Sequence, residues 1–142
     1  VNAVLLLRSA SEVYATLDQA LADLARGQVR FVKVGAAPSF IRRGGRVQVI
    51  RAGAPPAGIL PQLQAEVRGA TLMPGDVVVM VTDGLLVAWP RVDAAEDWLC
   101  GYLGSLPGED PQRIAAAVAD EALRRREGQP RDDLTVLVVA LR

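Results

Sequence analysis

The stretch from Leu72 to Leu86, LMPGDVVVMVTDGLL, constrains the fold more than any other part of the chain. It sets a turn signal, Met73-Pro74-Gly75-Asp76, ahead of an apolar, β-branched run from Val77 to Val81 that stops on Thr82-Asp83-Gly84. A run of that kind bounded by turn residues reads as a buried strand. A carboxylate cannot carry such a strand into a core unless it is paired or bound to a cation. Asp83 is therefore expected at the strand's end, aimed at something positive. Gly84 after it lets the backbone bend sharply or approach a ligand closely. The identity of the positive partner decides the function.

Composition narrows the choices. The 142 residues suit one domain with a sizeable core, and 51% hydrophobic against 23% charged residues is globular rather than disordered material. Sixteen basic residues balance 16 acidic ones, so the net charge gives no push towards nucleic acid or an anionic membrane surface. Nearly all the positive charge is arginine, Lys33 being the single lysine, a bias that a GC-rich genome produces without functional cause. One cysteine, Cys100, excludes an internal disulfide and fits a reducing, cytoplasmic compartment; its surroundings suggest a small apolar side chain, not a nucleophile. There is no histidine, which removes imidazole bases, Ser-His-Asp triads and His-based metal sites together. No stretch has the length of a membrane-spanning helix, so no direct membrane contact is expected. Val1-Asn2 carries no basic region of a signal peptide, and a first residue other than Met hints at a segment of something longer.

Along the chain, Val1 to Leu7 reads equally as helix or buried strand, and Ser11-Glu12 as a turn or short cap. Residues 14–23 alternate like a strand, with helix as the competitor. Ala25 to Gln28 is a hairpin turn into a strand over Val29 to Val34. Gly44-Gly45 joins strands over Ser39 to Arg43 and Arg46 to Ile50. A Pro/Gly-rich loop, Ala52 to Pro61, leads to an alternating strand over Gln64 to Thr71. Helical composition follows over Ala94 to Leu103. Asp110-Pro111 opens a second helix whose apolar face is Ile114, Val118 and Ala122. Arg124 to Arg126 suit its C-terminal dipole, as a solvated helix end, and Gly128 sits where a C-cap glycine belongs. Leu134 to Leu141 reads as a second buried strand. Hairpin-linked strands with helices late in the chain predict an α+β fold, an antiparallel sheet or pair of sheets with helices on a face.

Two carboxylate sites share one context. Asp83 follows a buried strand, and Asp132-Asp133 precedes another. If those strands are adjacent and antiparallel, all three carboxylates converge at one sheet edge. Carboxylates clustered without cationic side chains repel, so a hard divalent cation is their natural partner. With no histidine, oxygen donors favour Mg²⁺ or Mn²⁺ over zinc or copper. Asp-Gly is also the commonest turn dipeptide, and Asp-Asp before a strand is often a solvated loop, so spacing alone leaves both readings open.

At these residues the chain resembles the PPM-type metal-dependent serine/threonine phosphatases, and among them the SpoIIE (sporulation stage II protein E) branch. Val81-Thr82-Asp83-Gly84-Leu85 and Asp132-Asp133-Leu134-Thr135-Val136 match the family's two late metal-binding motifs. Phe31 to Phe40 looks like the SpoIIE version of a segment that relatives write with Gly-His-x-Pro. Pro56 to Leu60, Leu72 to Asp76 and Asn2 to Arg8 match in order around them. The resemblance implies an antiparallel β-sandwich flanked by helices, and hydrolysis of a protein phosphoserine by water held on two Mn²⁺ or Mg²⁺ ions. Asp83 and Asp132 would be metal ligands; Asp133, where many relatives carry Asn, ranks below them. No side chain of this chain is expected to act as a catalytic nucleophile or base. The implied substrate is a phosphorylated anti-anti-sigma factor similar to SpoIIAA, and the implied role is sporulation sigma-factor activation.

There are two departures from the pattern. Val87 stands where relatives often carry an acid. The family's first Asp motifs belong upstream of everything here, so residues 1–142 are expected to be the C-terminal portion of a single PPM-type domain, incomplete at the N-terminus. Such a portion would be inactive alone, with part of its metal site supplied from upstream and any membrane anchor lying there too. Its exposed sheet edges would favour a homodimer. Two other readings remain: a non-catalytic regulatory or interaction module of the same fold, and a stress-response PPM phosphatase with a different phosphoprotein substrate.

Overall fold

The computed structural model describes residues 2–7, 14–87, 89, 91–126 and 132–142. The chain divides into two compact units interleaved in sequence: Val1–Ala36 with Arg51–Leu72, and Ala37–Ile50 with Met73–Arg142.

The first unit holds a three-stranded antiparallel sheet in the order β1-β2-β5, built from β1 (Leu17–Asp23), β2 (Gln28–Val34) and β5 (Glu66–Thr71). The expected hairpin turn is present. Asp23 closes it by accepting from the Ala25 and Arg26 N–H groups at 3.1 Å each. The apolar alternation of β1 does not bury, and this departs from expectation. Leu17 and Leu21 are exposed, and the residue most withdrawn from solvent is Asp18. The cause lies on the next strand: Lys33 is directly opposite in register and fully buried, and its Nζ sits 2.6 Å from Asp18 Oδ2. A buried ammonium is tolerated only beside such a partner, and that dictates which face of β1 turns inward. β5 likewise begins two residues later than its alternation suggests and leaves Val67 exposed.

The N-terminal segment, open between helix and strand in the sequence, is a short helix, α1 (Asn2–Leu7). Asn2 spends both ends of its amide on the Pro/Gly-rich loop: Nδ2 donates to the Leu60 and Pro61 carbonyls at 3.2 Å, and Oδ1 accepts from Gly58 N–H at 2.7 Å. Ser11, Glu12 and Gly128 lie outside the described residues.

The second unit is a four-stranded antiparallel sheet in the order β4-β3-β6-β7, from β3 (Ser39–Arg43), β4 (Arg46–Ile50), β6 (Val77–Val81) and β7 (Val136–Ala140). Three helices follow β6: α2 (Asp83–Leu86), α3 (Val92–Ser105) and α4 (Pro111–Arg125). One face of the sheet, carrying Phe40, Val77, Val79 and Val81, packs on Leu85, Leu99, Leu103, Ile114 and Val118, all essentially removed from water. Each such Leu or Val is worth about 1.5–3 kcal/mol relative to exposure. The Asp110-Pro111 helix start is as read: Asp110 accepts from Gln112 and Arg113 N–H at 3.0 and 3.3 Å, with Pro111 at the first helical position. The arginines closing α4 are partly occupied: Arg124 and Arg125 pair with Glu121, and Arg125 lies over the stacked rings of Trp89 and Trp98.

One expectation for this unit is corrected. β7 is not a fully buried strand, since Val136, Val138 and Ala140 face the helices while Leu137 and Val139 are about half exposed. Among the described residues it is the edge of its sheet, hydrogen-bonded to β6 on one side alone.

Two charges that the sequence does not single out hold the frame. Arg42 is buried, and its guanidinium donates to the carbonyls of Leu103 at 3.5 Å, Leu106 at 2.7 Å and Gly108. Two of these, Leu103 and Leu106, are carbonyls that the end of α3 leaves without helical partners, and Gly108 lies on the loop that follows. Asp76, at the end of the predicted turn, is 1% exposed and receives a forked contact from Arg43, Nε to Oδ1 at 2.8 Å and Nη2 to Oδ2 at 2.7 Å. It also accepts from Met73 N–H at 2.8 Å. Its backbone joins the last strand, with Leu141 N–H donating to the Asp76 carbonyl at 2.9 Å.

At the other end of β6, the backbone of Asp133 runs directly against Gly84. A Cβ placed on Gly84 would lie 1.9 Å from the Asp133 carbonyl oxygen, so no larger residue fits without moving the start of β7.

Two tests follow from this frame. The Arg43 hydrogen bonds, with help from Met73 N–H, hold the Asp76 carboxyl below its ordinary value despite burial. A carboxyl lowered by folding stabilises the fold above its unfolded pKa, and that contribution disappears as pH falls through the folded one. Urea denaturation at a series of acid pH values should show this loss in the parent chain. Asp76→Asn should flatten that part of the profile and cost about 2 kcal/mol near neutrality. Gly84→Ala should cost about 2 kcal/mol through overpacking, read as a lower urea midpoint at unchanged slope.

Candidate metal centre

Strands β6 and β7 are neighbours and antiparallel, with Val81 opposite Val136. The end of one therefore lies beside the start of the other, and the three predicted site residues gather where the pairing runs out. Asp83 is the first residue of α2, one position beyond the extended Thr82 (φ −82°, ψ 158°). Asp132 and Asp133 are four and three residues ahead of β7. The expectation placed Asp83 at the strand's end; it instead opens a helical turn, because the Thr82 carbonyl accepts from Leu85 N–H at 3.0 Å and the chain coils immediately.

The junction is tightly hydrogen-bonded. Thr82 N–H donates to the Thr135 carbonyl at 3.2 Å, Thr135 N–H donates to Thr82 Oγ1 at 2.9 Å, and Thr82 Oγ1 donates to the Asp133 carbonyl at 3.2 Å. On the far side, Arg126 at the end of α4 reaches the Asp132 carbonyl at 3.5 Å. The close approach of Asp133 to Gly84 completes the contact. The sequence marks Gly84 as a sharp bend or a point of close ligand approach; its described neighbour is the protein's own backbone.

The carboxylates themselves are exposed and lightly engaged. Asp83 Oδ1 accepts from Gly84 N–H at 3.0 Å and Asp132 Oδ1 from Asp133 N–H at 2.8 Å. Among the described residues none of the three forms an ion pair, in contrast to Asp18, Asp76 and Glu121. An all-oxygen, anionic donor set at a rigid strand junction suits a hard divalent cation. It is also a partial set: among the described residues, no three carboxylate, histidine or cysteine side chains stand close enough together to hold an ion. The residues thus fit a contribution to a metal site, not the whole of one. Val87, where an acid was missed, closes α2 at the surface.

Sequence reasoning overlooked Thr82. A threonine just ahead of a helix is ordinarily a cap, its oxygen accepting from the helix's own N–H groups. Thr82 makes no such bond and turns to the other strand. Nothing in the local sequence distinguishes the two uses.

Comparison with known proteins places this geometry. The family model described as Stage II sporulation protein E (SpoIIE) matches residues 1–142. Over 141 residues the chain is 38% identical to Stage II sporulation protein E of Bacillus subtilis (strain 168), a match covering 99% of this chain and 17% of that protein. A solved structure of the PP2C phosphatase domain and a fragment of the regulatory domain of SpoIIE from Bacillus subtilis superposes with a TM-score of 0.86 at 38% identity, over 98% of this chain and 42% of that one. The phosphatase domain of the same protein, presoaked with Mn, gives a TM-score of 0.80 at 36% identity, over 99% and 62%. The chain therefore spans less than two thirds of each of these relatives. Its two antiparallel sheets with helices are those of the PP2C phosphatase domains. With the family model matched across all 142 residues, the chain belongs to the SpoIIE family.

Proposed function

We propose that the chain is the C-terminal portion of a SpoIIE-type protein serine phosphatase domain, in which Asp83 and Asp132 are metal ligands and Asp133 a weaker third. The observation that carries the reading is the β6–β7 junction, which brings the backbones of Asp83 and Asp132-Asp133 to one end of the paired strands, with no ion pair to any of the three carboxylates among the described residues. Family membership and the phosphatase-domain relatives support the same chemistry. Asp83, Asp132 and Asp133 would hold part of a Mn²⁺ or Mg²⁺ centre, whose chemistry would be to acidify a bound water and to neutralise phosphate charge. The role of this chain is to hold its carboxylates in place on the ends of paired strands, where backbone hydrogen bonds limit their drift. Residues outside the chain complete the ligand set. That division accounts for a site with neither histidine nor an activated cysteine.

The substrate we propose is the phosphoserine of an anti-anti-sigma factor similar to SpoIIAA, which would tie the activity to sporulation sigma factors in the cytoplasm. Support for it comes from the family alone. No described helix is long and apolar enough to cross a membrane. The half-exposed edge strand β7 suits a homodimer, a further proposal.

The test is Mn²⁺-dependent hydrolysis of a phosphoserine protein by the chain with and without its upstream segment. Activity is expected in the longer form alone. Asp83→Ala and Asp132→Ala should each lower kcat/KM about a hundredfold or more, and Asp133→Ala less. Full activity in both of the first two variants would remove the ligand assignment. No activity in the longer form at any Mn²⁺ concentration would favour a regulatory module.

A further inference from the structure

The hydroxyl of Thr82 occupies an unusual place in the sheet. In an antiparallel ladder, directly opposed residues of a hydrogen-bonded pair exchange two N–H···O=C bonds. Thr82 and Thr135 are the next pair beyond Val81 and Val136, and one of their two bonds is ordinary, from Thr82 N–H to the Thr135 carbonyl at 3.2 Å. The other cannot form normally, because the Thr82 carbonyl has turned away to accept from Leu85 N–H at 3.0 Å. Thr135 N–H is received by Thr82 Oγ1 instead, at 2.9 Å. A hydroxyl that accepts one bond still has a proton to give, and Thr82 gives it to the Asp133 carbonyl at 3.2 Å.

One side chain therefore does two things. It extends the β6–β7 ladder by a residue past the point where the backbone leaves it for α2. It also ties that last rung to the peptide of Asp133, on the loop that carries Asp132 and Asp133. Asp83 is covalently next to Thr82. A single oxygen thus links the two carboxylate-bearing segments, and Gly84 lets them approach closely enough for the link to form.

We propose that Thr82 is a positioning residue for the metal site: through its hydroxyl it sets Asp83 in register with Asp132 and Asp133. This rests on the reading of those carboxylates as metal ligands. Thr82 touches neither ion nor substrate in the proposal and acts through the segments that do. Outer partners of this kind typically change metal affinity about 10–100-fold when removed. Serine retains both hydrogen bonds, and valine retains the shape while losing both.

The experiment compares the complete phosphatase domain with its Thr82→Val, Thr82→Ser and Thr82→Ala variants by two readouts. The first, made without metal, is amide hydrogen exchange at Thr135, which reports the bond to Thr82 Oγ1 directly. The second is Mn²⁺ affinity by calorimetric titration. Thr82→Val and Thr82→Ala should lose protection at Thr135 and bind Mn²⁺ about tenfold or more weakly, while Thr82→Ser stays within about twofold of the parent in both. Thr82→Ala serves should the valine variant not fold. Loss of Thr135 protection with unchanged Mn²⁺ affinity would overturn the proposal, as would equal weakening in Thr82→Ser. Asp83→Ala and Asp132→Ala, run alongside, separate the two layers. If neither weakens Mn²⁺ binding, the ligand reading itself fails; if both do and Thr82→Val does not, the positioning role alone fails.

Discussion

The second unit depends on the pairing of β6 with β7. β6 is the central element, bonded to β3 on one side and β7 on the other, and its inward residues Val77, Val79 and Val81 are covered by the helices that follow it in sequence. β7 is the last strand to arrive, and it is fastened at both ends. At one end Gly75 and Asp76 exchange backbone hydrogen bonds with Leu141, beside the buried Asp76–Arg43 pair. At the other end Thr82 and Gly84 receive Thr135 and Asp133. A one-residue slip of β7 would turn Val136, Val138 and Ala140 away from the helices and expose them. The register that keeps the core dry is therefore the one that brings Asp132 and Asp133 to Asp83.

The sequence carried the outline of this arrangement because its signals were local. Asp110-Pro111, Gly44-Gly45 and the Met73 to Asp76 turn depend on backbone geometry over a few residues, and each stands where its chemistry predicts. The meeting of the Asp83 and Asp133 segments at one end of β6 and β7 was legible for a different reason. Two apolar runs of similar length, each bordered by acid, have few ways of pairing that leave the acids in water. What could not be read were features set by distant residues. Leu17 and Leu21 look like a core face until Lys33 arrives opposite Asp18. Arg42 looks like a surface arginine until the end of α3 presents its carbonyls. The half-exposure of β7 follows from its place at the sheet edge, and composition does not report edges.

The chain treats its charges in two contrasting ways. Where an ionised group is withdrawn from water it is matched closely: Lys33 with Asp18, Asp76 with Arg43 and Met73 N–H, Arg42 with three carbonyls. Burial of a charge without such partners would cost several kcal/mol or more. The carboxylates at the β6–β7 junction are under no such pressure, because they are exposed and water meets their needs. That no ion pair forms to them among the described residues is therefore cheap in the folded chain. In the metal-site reading proposed for this junction, a cation would relieve the mutual repulsion of these carboxylates better than separation does, given strands that cannot part.

That last condition separates a metal site from a merely acidic loop. An acidic loop answers repulsion by moving its side chains apart, and the divalent ion gains little from meeting them. Here the peptides behind the side chains are held: Asp133 by its carbonyl against Gly84 and Thr82, Asp132 by its carbonyl to Arg126, Asp83 by the helical turn that begins at Thr82. Each anchor is a backbone contact, so it survives whatever rotamer the carboxylate adopts. The side chains keep the small freedom needed to meet an ion, while their origins stay fixed. In the proposed site, affinity would come from donors whose origins the fold already holds, and it holds them because valines of the same strands, packed on the helices, keep the register.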